Sequence, residues 1–183
     1  MLTATAWRTL GSAVGLLLAG LPVWGIAQEA TREAPPPSLP GWLSVDSVNQ
    51  TLSLALEVTA PPGSPSAALN GYRAGGVQVT VPLNWTVRWE WRSADPTALH
   101  SLVVMVEREK LPLEGGRPAF ANAMTRMVTA GLRPEQGDTT AFVADEAGWY
   151  WLLCGVPSHA IGGEWIELRV DPDARTARVK TKP

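Results

Sequence analysis

The chain has 183 residues, with 15 basic and 17 acidic side chains and a formal charge of −2. That length suits one domain of ordinary size with extensions, and the absence of a basic stripe or recognition motif excludes a nucleic-acid partner. Nine tryptophans and a single cysteine stand out. One cysteine cannot form an internal disulfide, so in an exported chain it points to a reactive thiol, a metal ligand or an intermolecular bond.

Residues 1–27 read as a secretory signal, with Arg8 as the positive region, "LGSAVGLLLAGLPVWGIA" as the apolar core, and Gly25 and Ala27 as the small residues before cleavage. The alternative is an uncleaved segment that tethers the protein to a membrane. Either way the domain is expected in the periplasm or elsewhere outside the cytoplasm. No later run is long enough to span a bilayer. Residues 28–41, "QEATREAPPPSLPG", read as an extended Pro-rich linker.

The domain is expected over 42–171. Leu52, Leu54, Leu56 and Val58 alternate as in a half-buried strand. After the turn-rich stretch "APPGSPSAALNGYRAGG", Val77, Val79 and Val81 mark a second strand. Trp85, Val87, Trp89 and Trp91 mark a third, with Arg88, Glu90 and Arg92 on its other face. Most tryptophans lie in such apolar runs and are read as core. "LHSLVVM" reads as a very apolar, central strand. "FANAMTRMVTAGL" has helical spacing at Phe120, Met124, Met127 and Val128, with Gly131 as a stop, and its methionines are read as core filler. "DTTAFVADEAGWYWLLC" gives two more strands about the turn "EAG", and "EWIELRV" reads as the closing strand. Residues 172–183 read as a flexible basic tail. The sum is an all-β sandwich or Greek-key barrel of about seven to eight strands.

The chain has two histidines, His100 and His159. His100 sits on or beside an apolar strand, Cys154 ends another, and His159 lies in the loop that follows. A strand end and a hairpin loop at one pole of a sandwich can meet. Two imidazoles and a thiolate then make a trigonal site suited to copper, with room for a weak axial ligand. Pro157 restricts that loop, and Gly162 with Gly163 lets it fold tightly.

"CGVPSHAIGGEW" resembles the copper loop of sulfocyanin- and rusticyanin-like cupredoxins, in which Cys, four residues, His, four residues and Met follow one another. "LNGYRAGGVQVTVPLNWTVRWEW" is similar to the sulfocyanin segment in which an Asn-Gly turn precedes a V-P-x-x-W/Y-x-V strand pair. "LHSLVVM" occupies the place of the first copper histidine, and "AFVADEAGWYWLLC" matches the strand entering the loop. The likeness covers about Asn49 to Val170.

The resemblance implies one copper ion per chain, held by His100, Cys154 and His159, with Ser101 hydrogen-bonding near the sulfur. It implies a one-electron carrier rather than an enzyme: a monomer that meets redox partners of the cytochrome or terminal-oxidase type transiently. His159 would be the electron outlet, with Ile161 and Trp165 as candidates for a docking patch, although Trp165 is read first as the inward-facing start of the last strand. The departure is Glu164, which stands where the family has Met. It is either an axial ligand favouring Cu(II), a solvent-facing residue beside a three-coordinate copper, or a bystander replaced by Met105, Met124 or Met127. Two rivals remain at this stage: a copper store of the same fold, and a metal-free sandwich that binds carbohydrate or protein through tryptophan. Two histidines are too few for a multicopper oxidase or nitrite reductase, and one cysteine too few for a dinuclear copper domain. A thiol hydrolase built on Cys154 lacks an orienting partner for its histidine.

Overall fold

The computed structural model describes residues 39–60, 63 and 66–182. The expected signal segment and residues 28–38 of the expected linker lie outside the described residues. Among the described residues the chain forms ten strands. They are β1 (Leu43–Asp46), β2 (Thr51–Thr59), β3 (Ala68–Leu69), β4 (Val77–Pro82), β5 (Thr86–Ser93), β6 (Val103–Val106), β7 (Asp138–Val143), β8 (Gly148–Leu153), β9 (Trp165–Asp171) and β10 (Arg178–Thr181). None of the described residues forms a helix long and apolar enough to cross a membrane.

One sheet runs β1-β2-β5-β7, with β3 on β2; the other runs β10-β4-β9-β8-β6. β2 and β5 pair in parallel, with Leu52, Leu54 and Leu56 level with Val87, Trp89 and Trp91. Because side chains alternate across a strand, all six fall on one face and are buried there. Val79 and Val81 of β4 stand level with Leu168 and Val170 of β9 and supply the facing wall. The result is the expected all-β sandwich. The strand count exceeds the expected seven to eight because β3 is only two residues long and β10 arises in the C-terminal segment.

That segment corrects the reading of 172–183 as a flexible tail. Ala177 is buried, Val179 pairs with Val79, and Lys182 forms an ion pair with Glu167. The short alternation around Val179 was masked by basic residues, and these suit an edge strand because they discourage further pairing.

β6 is likewise an edge strand, not a central one. Its apolar character has another cause: both faces are covered. Val104 faces the core, while Val103 joins Trp151, Leu153 and Ala160 in a second cluster on the outer face of the sheet. The long β6–β7 connection lies along the open edge. Val104 N–H donates to Ala123 C=O at 2.9 Å, Ala119 N–H to Val104 C=O at 2.8 Å, and Thr125 N–H to Leu102 C=O at 2.8 Å.

The helical spacing over Phe120–Gly131 is overridden there. Asn122 and Met127 adopt positive φ of 65° and 52°, the backbone makes only isolated local turns such as Ala123 N–H to Phe120 C=O, and its other bonds run outward to β6 and its approach. Phe120 enters the core and stacks on Phe142 with centroids 5.2 Å apart. Met124 and Met127 are exposed, which corrects their reading as core filler.

Candidate metal centre

Two connections deliver the site. The first leads from β5 to β6. His100 exchanges both backbone hydrogen bonds with Leu132, at 3.2 Å and 2.7 Å, which fixes its Cα before β6 begins. The second is the β8–β9 hairpin. Leu153 pairs with Trp165, so Cys154 and Glu164 are the next residues out and face each other across the hairpin mouth. Cys154 N–H donates to Glu164 C=O at 3.1 Å, and Glu164 N–H to His159 C=O at 3.1 Å. The hairpin tip between them turns through Ser158 at φ 71° and Gly163 at φ 106°. Gly155 permits a close pass of the β6–β7 connection: a Cβ there would lie 2.4 Å from a methyl of Val128 and 3.1 Å from Cα of Gly115.

These elements bring His100, Cys154, His159 and Glu164 together, with one ligand atom from each within 4.8 Å of all the others. Both imidazoles turn Nδ1 inward. His100 Nδ1 lies 3.0 Å and 2.9 Å from the two carboxylate oxygens of Glu164. His159 Nδ1 lies 3.6 Å from Cys154 Sγ and 3.2 Å from Glu164 Oε2. Metal–nitrogen and metal–sulfur bonds of about 2.0 to 2.3 Å place neighbouring donors roughly 3 to 4 Å apart, so the cluster has the dimensions of a single-ion site. A soft sulfur with two imidazoles is also a donor set that copper favours.

Glu164 is 2 % exposed with both oxygens turned into the cluster, so the solvent-facing alternative for this residue does not hold. Met105 packs against the outer cluster, and Met124 and Met127 are exposed. Ile161 is exposed beside His159 in the loop, whereas Trp165 packs against Trp151 with centroids 6.5 Å apart.

Ser101 braces the sulfur. Its backbone N–H donates to Cys154 Sγ at 3.4 Å. Its hydroxyl donates to Val128 C=O at 2.6 Å and accepts from Gly155 N–H at 2.9 Å, while its Oγ stays 3.9 Å from the sulfur.

Burial and charge set the protonation of the metal-free site. Burial would lower the His100 pKa, but hydrogen bonding and charge from Glu164, then Asp95, carry it above the ordinary histidine value. Burial would raise Glu164, but the hydrogen bonds from His100 and His159 hold it below the usual carboxylate range. Burial pushes the Cys154 thiol up, and the Glu164 carboxylate adds to that. A metal must therefore displace the thiol proton.

Asp95 is a member of this region that sequence reading missed. It is buried, and its Oδ2 lies 3.0 Å from His100 Nε2. Asp-Pro-Thr at a strand end signals a turn; nothing in its spacing announces a contact with an imidazole.

The sulfocyanin (SoxE) domain model matches residues 40–178. No curated protein matches the chain. Among solved structures, the chain is similar to rusticyanin from Thiobacillus ferrooxidans, at 19 % identity and a TM-score of 0.42, covering 71 % of this chain and 86 % of that one. It is also similar to auracyanin from Roseiflexus castenholzii, at 20 % identity and a TM-score of 0.44, covering 64 % and 97 %. A third similar structure is auracyanin A, a "blue" copper protein from Chloroflexus aurantiacus, at 14 % identity and a TM-score of 0.47, covering 66 % and 99 %. With the family model spanning most of its length, the chain belongs to the sulfocyanin family.

Proposed function

We propose that this protein carries single electrons through one copper ion held by His100, Cys154 and His159, with Glu164 as the axial ligand in place of Met. The observation that carries the proposal is the convergence of those four side chains at one pole of the sandwich. Copper bound there would supply a one-electron Cu(II)/Cu(I) couple.

The rest of the work belongs to the chain. Two rigid connections hold the donors in place, so little has to move between oxidation states. Ser101 N–H points at the sulfur and stabilises its negative charge. The cluster is nearly closed: His100, Cys154 and Glu164 are each at most 2 % exposed, while the His159 side chain is 26 % exposed. That contrast favours an outlet through His159. Encounters with cytochrome or oxidase-type partners through so small an edge would be transient and of limited area. The residue 1–27 pattern supports an exported location, free or tethered by the N-terminus, where the protein would act as a monomer in a redox chain.

Visible absorption and EPR of the copper-loaded protein, followed by voltammetry, test the reading. A strong thiolate-to-copper band that disappears in Cys154→Ala, together with a reversible one-electron wave, is the expected result. A colourless protein under saturating copper would sink it, and a coloured protein with no reversible wave would leave a copper store.

A further inference from the structure

Asp95 lies two residues beyond the end of β5 and is held from several sides. Its backbone N–H donates to Ser93 Oγ at 3.1 Å. Its Oδ1 accepts from Thr97 N–H at 2.8 Å and from the Thr97 hydroxyl at 2.6 Å. Oδ2 is left to His100 Nε2, at 3.0 Å. The Asp95 side chain is 6 % exposed and that of His100 is 2 %. A turn residue satisfied by Thr97 alone would have no reason to bury its second oxygen against an imidazole, because a buried carboxylate oxygen without a donor is costly.

We propose that Asp95 is a positioning residue: its carboxylate accepts the Nε2–H hydrogen bond of His100, so that the ring keeps Nδ1 for the cluster, and its charge biases the site toward Cu(II). The inference rests on reading the cluster as a copper site. An ionised carboxylate can only accept, so the nitrogen facing it must carry the proton. In a neutral imidazole the other nitrogen is then the free donor to a metal, and a carboxylate behind the ring strengthens that donor. Charge works in the same direction. The Cys154 thiolate, Glu164 and Asp95 bring three negative charges together on largely buried side chains. Cu(II) would leave one of them in excess and Cu(I) two, and uncompensated buried charge is unfavourable. Removing the Asp95 charge should therefore favour the reduced state.

Asp95→Asn and Asp95→Ala, made in the full chain, separate the two roles. Asn keeps a carbonyl oxygen for Nε2–H but carries no charge. It should retain the thiolate–copper band while the ratio of Cu(II) to Cu(I) affinity falls about tenfold, a rise in potential of about 59 mV for a one-electron couple. Ala removes the hydrogen bond as well and should weaken copper binding roughly 10- to 100-fold. It should also abolish the slowly exchanging Nε2–H signal of His100 that NMR should show in the metal-free parent. An unchanged potential in both variants, or an Nε2–H signal that survives in Asp95→Ala, would overturn the proposal. If the parent forms no thiolate–copper band, the copper reading fails on its own, and the metal-free Nε2–H signal still decides whether Asp95 sets the ring.

Discussion

His100 and His159 offer the same atom to the cluster from opposite circumstances. His100 is tied to Leu132 through its backbone, lies between the carboxylates of Asp95 and Glu164, and is 1 % exposed. His159 rides on a hairpin turn, and its side chain is 26 % exposed. One imidazole is thus part of the folded interior, with a partner on each ring nitrogen. The other has one side on the cluster and an edge toward solvent. A carrier needs both kinds: a donor whose position does not drift, and one through which an electron can leave.

The sharpest break of this contrast is to delete each ring. His100→Ala leaves a cavity and strands two buried carboxylates without their shared partner. Breaking a buried pair in this way typically costs about 3–5 kcal/mol, so the metal-free variant should show a large fall in its denaturation midpoint. His159→Ala removes one of two imidazoles from Glu164 at a position already 26 % exposed, and should cost less, about 1–3 kcal/mol. Equal losses would mean that the two imidazoles are not differently embedded.

A second contrast follows from pH. The metal-free protein gains stability from protonated His100 at low pH, and this is lost as pH rises through the raised native value, above the ordinary 6.5. Glu164 contributes in the opposite sense. Its stabilisation is present above its ordinary value of 4.5 and is lost as pH falls through the depressed native value. Stability should therefore be greatest between about 4.5 and 6.5 and decline on both sides. His100→Ala should flatten the alkaline decline, as chemical denaturation at a series of pH values would reveal. An alkaline limb as steep as the parent's would show that the ion pair is not its source.

Glu164 touches both rings, so exchanging it tests what the two share. Glu164→Met replaces an anionic oxygen with a neutral, soft sulfur that suits Cu(I). At least a tenfold change in the Cu(II)-to-Cu(I) affinity ratio is expected, raising the potential by about 59 mV or more. An unchanged potential would place the carboxylate outside the coordination of the metal.

The sequence disclosed the parts of this arrangement that rest on period and spacing. Leu52 to Val58 and Val87 to Trp91 alternate because one face is core, and with the other short strands and turns between them that implied a sandwich. Cys154, His159 and Glu164 lie on one hairpin, so their spacing already held them together. What stayed hidden depends on contacts distant in the chain or on context that outweighs pattern. β6 reads as central because both its faces are covered, and the second cover comes from a connection without regular structure. Met124 and Met127 have helical spacing, but hydrogen bonding to the β6 region draws their segment away from a helix. Asp95 resembles any turn aspartate until the fold sets His100 against it.

The smallest expected effect lies at the exposed end of the contrast. Ile161 is 57 % exposed, two residues beyond His159. An apolar side chain there has little to hold in the fold, so Ile161→Ser should alter stability by no more than about 0.5 kcal/mol. It should leave the copper spectrum and potential unchanged as well, because Ile161 is not among the four groups of the cluster. If the His159 edge is where electrons leave, a hydroxyl in place of an apolar contact should still slow electron self-exchange, measured by NMR line broadening in mixtures of oxidised and reduced protein. A variant that exchanges as fast as the parent would move the outlet away from this edge and remove the functional difference between the two histidines.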